Sequence, residues 1–291
     1  MNPNYTILTE SSCDLSPALA EQMEVEVLPL SFTMGEKNYP HHLDGRDFPI
    51  DRFYARMRGG DTAVTAAANV TELSDGMEIH LKEGRDVLFL CFSSGLSSTR
   101  NSCAIAAEEL REKYPDREIF TVDTLAASGG QGLLTYLAAQ KRLQGASIEE
   151  VRDFAEETKL HLAHWFTVDD LIYLKRGGRV SPAAAIVGTM LHIKPVLCVD
   201  NAGQLIPVEK VRGRKAAVAA LLRHMEETAV QPRDQTILIS HACCLETAEA
   251  LREAVQNRFQ PREIFITDVG PIIGAHTGPG MISLFFLASH R

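Results

Sequence analysis

Basic residues are in short supply in this chain. Its 291 residues hold 29 Lys and Arg against 38 Asp and Glu, a formal net charge of −9. Nucleic-acid binding draws on a basic surface that displaces counterions, so this balance argues against broad nucleic-acid binding and leaves room only for a local basic patch. Aromatic residues amount to 7%, with one Trp, Trp165, which gives no platform on which bases could stack. There is no Walker A sequence, and Gly129-Gly130-Gln131-Gly132 does not match G-x-G-x-x-G, so nucleotide binding has little support. The 6 Cys include no C-x-x-C pair. Cys91 and Cys198 sit inside apolar, strand-like runs, where Cys behaves as a small hydrophobe, and a disulfide framework belongs to small secreted chains. No run approaches the ~20 apolar residues that span a bilayer. The first five residues, Met1 to Tyr5, carry neither the basic nor the apolar region of a signal peptide. A reduced, cytoplasmic protein is therefore expected. Metal ligands are scattered. His161 and His164 are three apart with no carboxylate between them, His41 and His42 are adjacent, and His80, His192, His224, His241 and His290 are isolated, so no metal site is expected.

What is present fits a folded chain: 45% hydrophobic and 23% charged residues are ordinary globular values, which removes disorder as the default. The length suggests two domains. The first half alternates strand and helix signals. Strands are expected at 5–9, 25–34, 86–92 and 118–122, and helices after Ser16-Pro17 and at 47–57, 70–81, 97–114, 126–143 and 147–160. The run DVLFLCF at 86–92 is apolar almost throughout, as in a strand buried on both faces of a parallel sheet. This order implies a parallel, doubly wound sheet. The second half mixes a hairpin at 195–211, turning on Asp200-Asn201-Ala202-Gly203, with helices at 169–174, 182–191, 213–227 and 245–258 and strands at 164–168, 235–240, 263–267 and 281–287. A mixed sheet follows. The expected division is 1–162 and 163–291, each an α/β unit.

Four segments could carry chemistry. Phe92-Ser93-Ser94-Gly95-Leu96-Ser97-Ser98-Thr99 follows a buried strand and opens a helix, where free N–H groups and hydroxyls suit a carboxylate or other oxyanion. Ser97 also reads as a simple N-cap. A nucleophilic Ser97 is the rival reading, since Gly95-Leu96-Ser97-Ser98-Thr99 imitates G-x-S-x-G without its last Gly, and His276 is an available base. The second segment, residues 270–280, surrounds His276 with four Gly and two Pro. It reads either as a loop shaped for an anion or as a turn before the last strand. The third is Lys175-Arg176-Gly177-Gly178-Arg179, a basic Gly turn that could meet a phosphate or be only a solvated turn. Arg212-Gly213-Arg214-Lys215 is similar, but its cations stand at a helix start, where the dipole disfavours them, which suggests a partner surface. The fourth, Val64-Thr65-Ala66-Ala67-Ala68-Asn69, lies before a helix and is physically unremarkable apart from the Thr65 hydroxyl.

Taken in order, these pieces resemble the DegV family, the fatty-acid-binding subunits of bacterial fatty acid kinase. The resemblance is carried by Phe166-Thr167-Val168-Asp169-Asp170-Leu171, by Tyr173 to Ser181, by Lys194-Pro195-Val196-Leu197 and by Gly274-Ala275-His276-Thr277-Gly278-Pro279-Gly280. The Ser-rich loop and Val122-Asp123-Thr124 add to it. It implies two α/β domains with an acyl chain buried between them. It also implies a carboxylate held by Thr65 and Ser97, with His276 close by and Ser94 in the same Ser-rich loop, and no catalytic residue or cofactor of the chain's own. The partner it implies is a separate kinase that makes the acyl phosphate, facing Arg212, Arg214 and Arg179. A transient contact with a membrane surface is compatible with that role. The ligand would be a palmitate-like or oleate-like acid. The sequence departs from the family pattern in three places: Thr65-Ala66-Ala67-Ala68 replaces a T-S-Q-P loop, Glu10-Ser11 replaces an Asp-Ser, and Ser98 stands where Gly is expected. Candidate lining residues are Phe89, Ile186, Met190, Leu191, Phe285 and Phe286. A third reading, a regulatory or scaffolding module without acyl ligand, stays open.

Overall fold

The computed structural model describes residues 4–181 and 192–291. The helix expected at 182–191 lies outside the described residues, as do Ile186, Met190 and Leu191. Four strands, β1 (Tyr5–Glu10), β2 (Val25–Leu28), β6 (Asp86–Cys91) and β7 (Ile119–Asp123), form a parallel sheet in the order β2-β1-β6-β7. Alternate residues of β6 face opposite cores. Val87, Phe89 and Cys91 meet α3 (Val70–Lys82) and α4 (Thr99–Lys113), whereas Leu88 and Leu90 meet α5 (Gly129–Leu143) and α6 (Ile148–Thr158). Burial on both faces is the reason the run has no polar alternation. Ser16 caps α1 (Pro17–Gln22) by accepting from the Leu19 N–H at 3.2 Å. Asn69 with Glu72 and Ser147 with Glu150 form reciprocal capping boxes on α3 and α6.

The stretch 25–34 is not one strand. It divides at Pro29, which lacks a ladder N–H. Beyond it, β3 (Leu30–Met34) leaves the parallel sheet and pairs antiparallel with β4 (Lys37–His41) and β5 (Ala63–Ala66), a three-stranded sheet in the order β4-β3-β5. The helix α2 (Ile50–Arg58) joins β4 to β5. Phe32, Tyr39, Phe48 and Phe53 form an aromatic cluster with ring centroids 4.7 to 5.6 Å apart, which ties this small sheet to α2.

The six-stranded sheet comes from later residues. It comprises β8 (Leu162–Thr167), β9 (Ile193–Val199), β10 (Leu205–Arg212), β11 (Thr236–His241), β12 (Glu263–Asp268) and β13 (Ile282–Leu287), in the order β10-β9-β8-β13-β11-β12. Only β11 and β12 are parallel, so the sheet is mixed. One face packs on α8 (Arg214–Thr228) and α9 (Leu245–Phe259) through Trp165, Leu221, Leu251 and Phe286. The other face meets α5, whose Leu133 and Leu134 share one core with Leu238 and Phe285. Helix α5 therefore lies between the two large sheets. The short helices α7 (Ile172–Arg176) and α10 (Pro271–Thr277) complete the described α-helices, and α10 packs on β3 and β5 of the small sheet. Among the described residues, no helix is long and apolar enough to cross a membrane, and no cluster of His, Cys, Asp and Glu could hold a metal ion.

Candidate functional site

The strand order β2-β1-β6-β7 reverses between β1 and β6, and the crevice beyond the carboxyl ends of such strands is where doubly wound sheets bind ligands. Here β1 ends at Glu10 and β6 at Cys91. The buried Glu10 carboxyl accepts from the Phe92 N–H at 3.1 Å and from Gln131 Nε2 at 2.7 Å, which fixes where the Ser-rich loop leaves the sheet. Burial pushes that carboxyl up to about 7, with Phe92 and Gln131 working against the rise. The loop is held at Ser93. Its N–H donates to Ala126 O, its hydroxyl donates to Gly203 O at 2.8 Å, and its carbonyl accepts from the N–H groups of Leu96 and Ser97. Gly95 lies against the hairpin turn, and a Cβ there would fall 2.6 Å from Ala202 O. Only glycine permits that approach.

A narrow cleft opens beside this loop, between it, the small sheet, α10 and the six-stranded sheet. The empty space among its lining atoms is about 750 Å³, open solvent at the mouth included. The walls are mostly aliphatic and aromatic, among them Leu30, Phe166, Leu174, Ile273, Met281 and Phe285. The polar lining groups include Thr65, Ser97, Arg179 and His276. Thr65, Arg179 and His276 also line an adjoining cavity with Tyr173 and Arg176. These three residues are thus shared by the two cavities.

Thr65 and His276 are in contact, with Thr65 Oγ1 2.8 Å from His276 Nε2. The other ring nitrogen, Nδ1, is buried without a hydrogen-bond partner among the described residues and faces Gly177, where a Cβ would fall 2.1 Å from it. Burial, with the charge of Arg179 adding to it, pushes the His276 imidazole down to about 4, so the ring is neutral. A neutral ring carries one hydrogen, and a buried N–H left unpaired costs more than a bare lone pair. The hydrogen therefore belongs on Nε2, which donates to Thr65 Oγ1 and leaves the Thr65 hydroxyl hydrogen to point elsewhere. Ser97 is backed in the same way. The Ala68 N–H donates to Thr99 Oγ1 at 3.2 Å, and Thr99 Oγ1 lies 2.9 Å from Ser97 Oγ. The Thr99 hydroxyl can then donate to Ser97, whose own hydrogen is free for a ligand. Ser97 Oγ also accepts the Thr99 N–H, while the N-cap position of α4 is Ser98, which makes no side-chain capping bond.

Other expected residues fall elsewhere. Ser94 is exposed, its N–H donating to Asp123 Oδ1 at 3.2 Å, and it stands outside the cleft lining that holds Thr65 and Ser97. Arg179 stands at the cleft. It is half-buried, donating to Leu96 O at 3.0 Å and to Gly177 O. Arg214 is tied inward to Asp169, Gly280 O and Cys244 Sγ. Arg212 is exposed at the end of the edge strand β10. A β-bulge at Pro207-Val208-Glu209 shifts the register, so that Leu205 and Pro207 share the cleft-side face with Val199 and Leu197 while Glu209 joins Val196 on the α8 side. The same slip returns Lys210 and Arg212 to the cleft-side face. Phe285 lines the cleft, whereas Phe89, in the core that also holds Leu30, Phe166 and Met281, and Phe286, on the α8 and α9 side of the sheet, do not reach it. Sequence reading missed Thr277 and Phe166 as lining residues, although both stand in segments already singled out.

A family model matches residues 4–289, that of the DegV family, described as uncharacterised. The chain belongs to the DegV family. It is 42% identical over 287 residues to a DegV domain-containing protein of Clostridium perfringens, covering 99% of this chain and 98% of that one. Among solved structures, a DegV protein of Thermotoga maritima described as lipid binding superposes with a TM-score of 0.88 at 29% identity, covering 99% of each chain. A DegV family protein of Thermus thermophilus, described by its fatty acid binding, gives a TM-score of 0.88 at 28% identity over 98% of this chain and 99% of its own. The DegV fold thus accounts for both large sheets.

Proposed function

We propose that this DegV protein binds one long-chain fatty acid in the cleft and presents its carboxylate to a separate kinase, contributing no catalysis of its own. The observation that carries the reading is the pair of hydroxyls, Thr65 and Ser97, on the wall of a mostly apolar cleft, each with a donor behind it. Two neutral donors and the half-buried Arg179 suit a carboxylate, and none of them is a nucleophile poised for attack. A chain of a dozen methylenes offers on the order of 10 kcal/mol before the entropic costs of binding, at about 0.8 kcal/mol each. The rival hydrolase reading lacks a base at Ser97, whose hydroxyl is bonded to Thr99, while His276 Nε2 is bonded to Thr65. Fatty-acid and lipid binding by the Thermus and Thermotoga relatives agrees with the carrier reading.

The proposal includes a division of the chain into units 1–162 and 163–291, and a kinase-facing surface around Arg212 on the cleft side of β10. Mass spectrometry of the organic extract of the purified protein tests the core of it, beside a Thr65→Ala, Ser97→Ala double variant. One fatty acid per chain, lost from the variant, is the expected result. A native protein that is empty and takes up no added fatty acid would overturn the reading and favour a regulatory module without acyl ligand.

A further inference from the structure

A second cavity lies apart from the cleft and shares no lining residue with it. Helix α5 reaches both. Ser128, just before its first residue, lines the cleft, whereas Leu137, Gln140, Lys141 and the C-cap Gln144, spaced as one helix face, line the second cavity. A rise of about 1.5 Å per residue sets Ser128 and Lys141 about 20 Å apart along the helix. The empty space among the lining atoms is about 860 Å³, open solvent included. Its apolar part comprises Leu137, Phe154 of α6, Val230 and Leu287 at the end of β13, and Val230 is left 45% exposed. Two cations also line it, Lys141 and Arg262, and neither forms an ion pair among the described residues. Both are held in place. The Lys141 ammonium lies over the Phe154 ring, 4.9 Å from its centroid. Arg262 Nη2 donates to the buried Thr236 Oγ1 at 2.9 Å. That contact begins a chain of hydrogen bonds that meets at Glu263. The Thr236 hydroxyl donates to Glu263 Oε2 at 3.4 Å, the Tyr136 hydroxyl donates to the same oxygen at 2.9 Å, and Gln140 Nε2 donates to the Tyr136 oxygen at 2.9 Å. Arg262 and Gln140 are thus fixed from behind by a carboxylate that does not itself line the cavity. The exposed Asp234 does line it and likewise forms no ion pair among the described residues. The lining therefore carries an excess of one positive charge on a chain whose net charge is −9.

We propose that this cavity is a second binding site, for an amphipathic monoanion whose acid group pairs with Lys141 and Arg262 and whose aromatic or branched body covers Leu137, Phe154 and Val230. The inference goes beyond the fatty-acid reading and does not depend on it. A few placed polar groups on a mostly apolar wall are the ordinary make-up of a small-molecule site. An inorganic anion would leave the apolar wall wet, and an uncharged apolar molecule would leave the two cations without a partner. Arg262 in particular offers a planar fork of donors already oriented by Thr236, which matches a carboxylate, sulfonate or phosphate. Asp234 works against an anion, and its removal should therefore strengthen binding.

The probe for the test is 8-anilinonaphthalene-1-sulfonate, one sulfonate on an aromatic body. It is titrated by fluorescence into the native protein and into Lys141→Gln, Arg262→Gln and Asp234→Asn variants, each with and without saturating stearic acid. The native protein should bind it with a dissociation constant below about 1 mM. Binding should be about three- to tenfold weaker in Lys141→Gln and in Arg262→Gln, tighter in Asp234→Asn, and the same whether or not stearic acid is present. An affinity that the Lys141 and Arg262 variants leave unchanged overturns the proposal. So does one that Asp234→Asn weakens, which would assign the cavity to a cation or a zwitterion. Displacement of all the probe by stearic acid would place it in the acyl cleft and equally overturn the proposal. If stearic acid itself fails to bind, the carrier reading falls while the three variants still decide this one. Because the probe also fluoresces on unfolded chains, melting temperatures are taken with and without it. Bound at this site it should raise that of the native protein by mass action and raise that of Arg262→Gln less, and a native melting temperature that the probe leaves unchanged or lowers would sink the proposal.

Discussion

Replacing Thr65 by Val removes one hydroxyl while keeping the branched shape, and two separable losses follow. In the complex, the carboxylate forfeits a hydrogen bond to a charged acceptor, about 1.5–3 kcal/mol, so the dissociation constant of a long-chain acid should rise about 10- to 150-fold. In the free protein, His276 Nε2–H loses its partner at 2.8 Å and is left buried, a folding cost of about 1–3 kcal/mol that lowers the melting temperature without entering the affinity directly. Thr65→Ser keeps the donor and should bind within about threefold of native. Isothermal titration reads the first loss and thermal melting the second. A Val variant within about twofold of native affinity and fully folded would refute the reasoning, because Thr65 would then not touch the carboxylate. So would a Ser variant as impaired as the Val one.

Stability should depend on pH through buried acids. Burial raises Glu10 to about 7 and Asp14 to about 8, so the folded chain keeps protons that the unfolded chain has released, and stability falls as pH rises towards those values. The buried His41 and His276, both lowered to about 4, oppose this only below the ordinary imidazole value of 6.5, where the unfolded rings take up protons. Between pH 6.5 and 8.5 the carboxyls alone among these groups change, and Asp14 should account for a fall of about 2 kcal/mol in urea unfolding, largely absent in Asp14→Asn; a rise over that window would contradict the assignment. Gly95→Ala should destabilise the chain by about 1–3 kcal/mol and weaken acid binding, since the added carbon strikes the hairpin turn at Ala202 and Gly203; equal melting temperatures would show that the Ser-rich loop is not wedged there. Arg212→Ala should leave acid binding intact and reduce kinase-dependent phosphorylation of the bound acid, and unchanged phosphorylation would remove Arg212 from the partner surface.

Legibility in the sequence followed burial. The run at 86–92 announced a strand enclosed on both sides, and β6 is one. Ser16-Pro17 marked a helix start because capping is local chemistry. The small sheet escaped notice for equally physical reasons. Residues 37–41, KNYPH, are polar edge-strand residues with a Pro, and 63–66, AVTA, are too short and small to show a period. No pattern within 25–34 says that its two halves serve different sheets. Residues 271–277 looked like a Gly-rich turn and form α10, with Pro271 at its first turn and Gly274 packed against Tyr54. Thr65, Ser97 and His276 were singled out by resemblance, but the roles of Thr99 and Ala68 behind Ser97 depend on contacts between segments about thirty residues apart. The inward turn of Arg214 depends on Asp169, far from it in sequence, and the cleft-side return of Arg212 depends on a bulge that no residue pattern betrayed.

The hydrogen bond between Thr65 and His276 joins residues 211 positions apart. During synthesis the first of them is made long before the second, so this part of the cleft cannot exist on a growing chain until residue 277 and the helix around it have emerged and docked. Contacts of such separation form late, after most of the loop-closure entropy has been met by other pairings. A ligand that needs both residues therefore recognises the finished molecule and ignores its precursors. By mass action it then stabilises that molecule alone, by about 2.7 kcal/mol at a free concentration one hundred times the dissociation constant. Acid supply and the abundance of intact protein would rise and fall together.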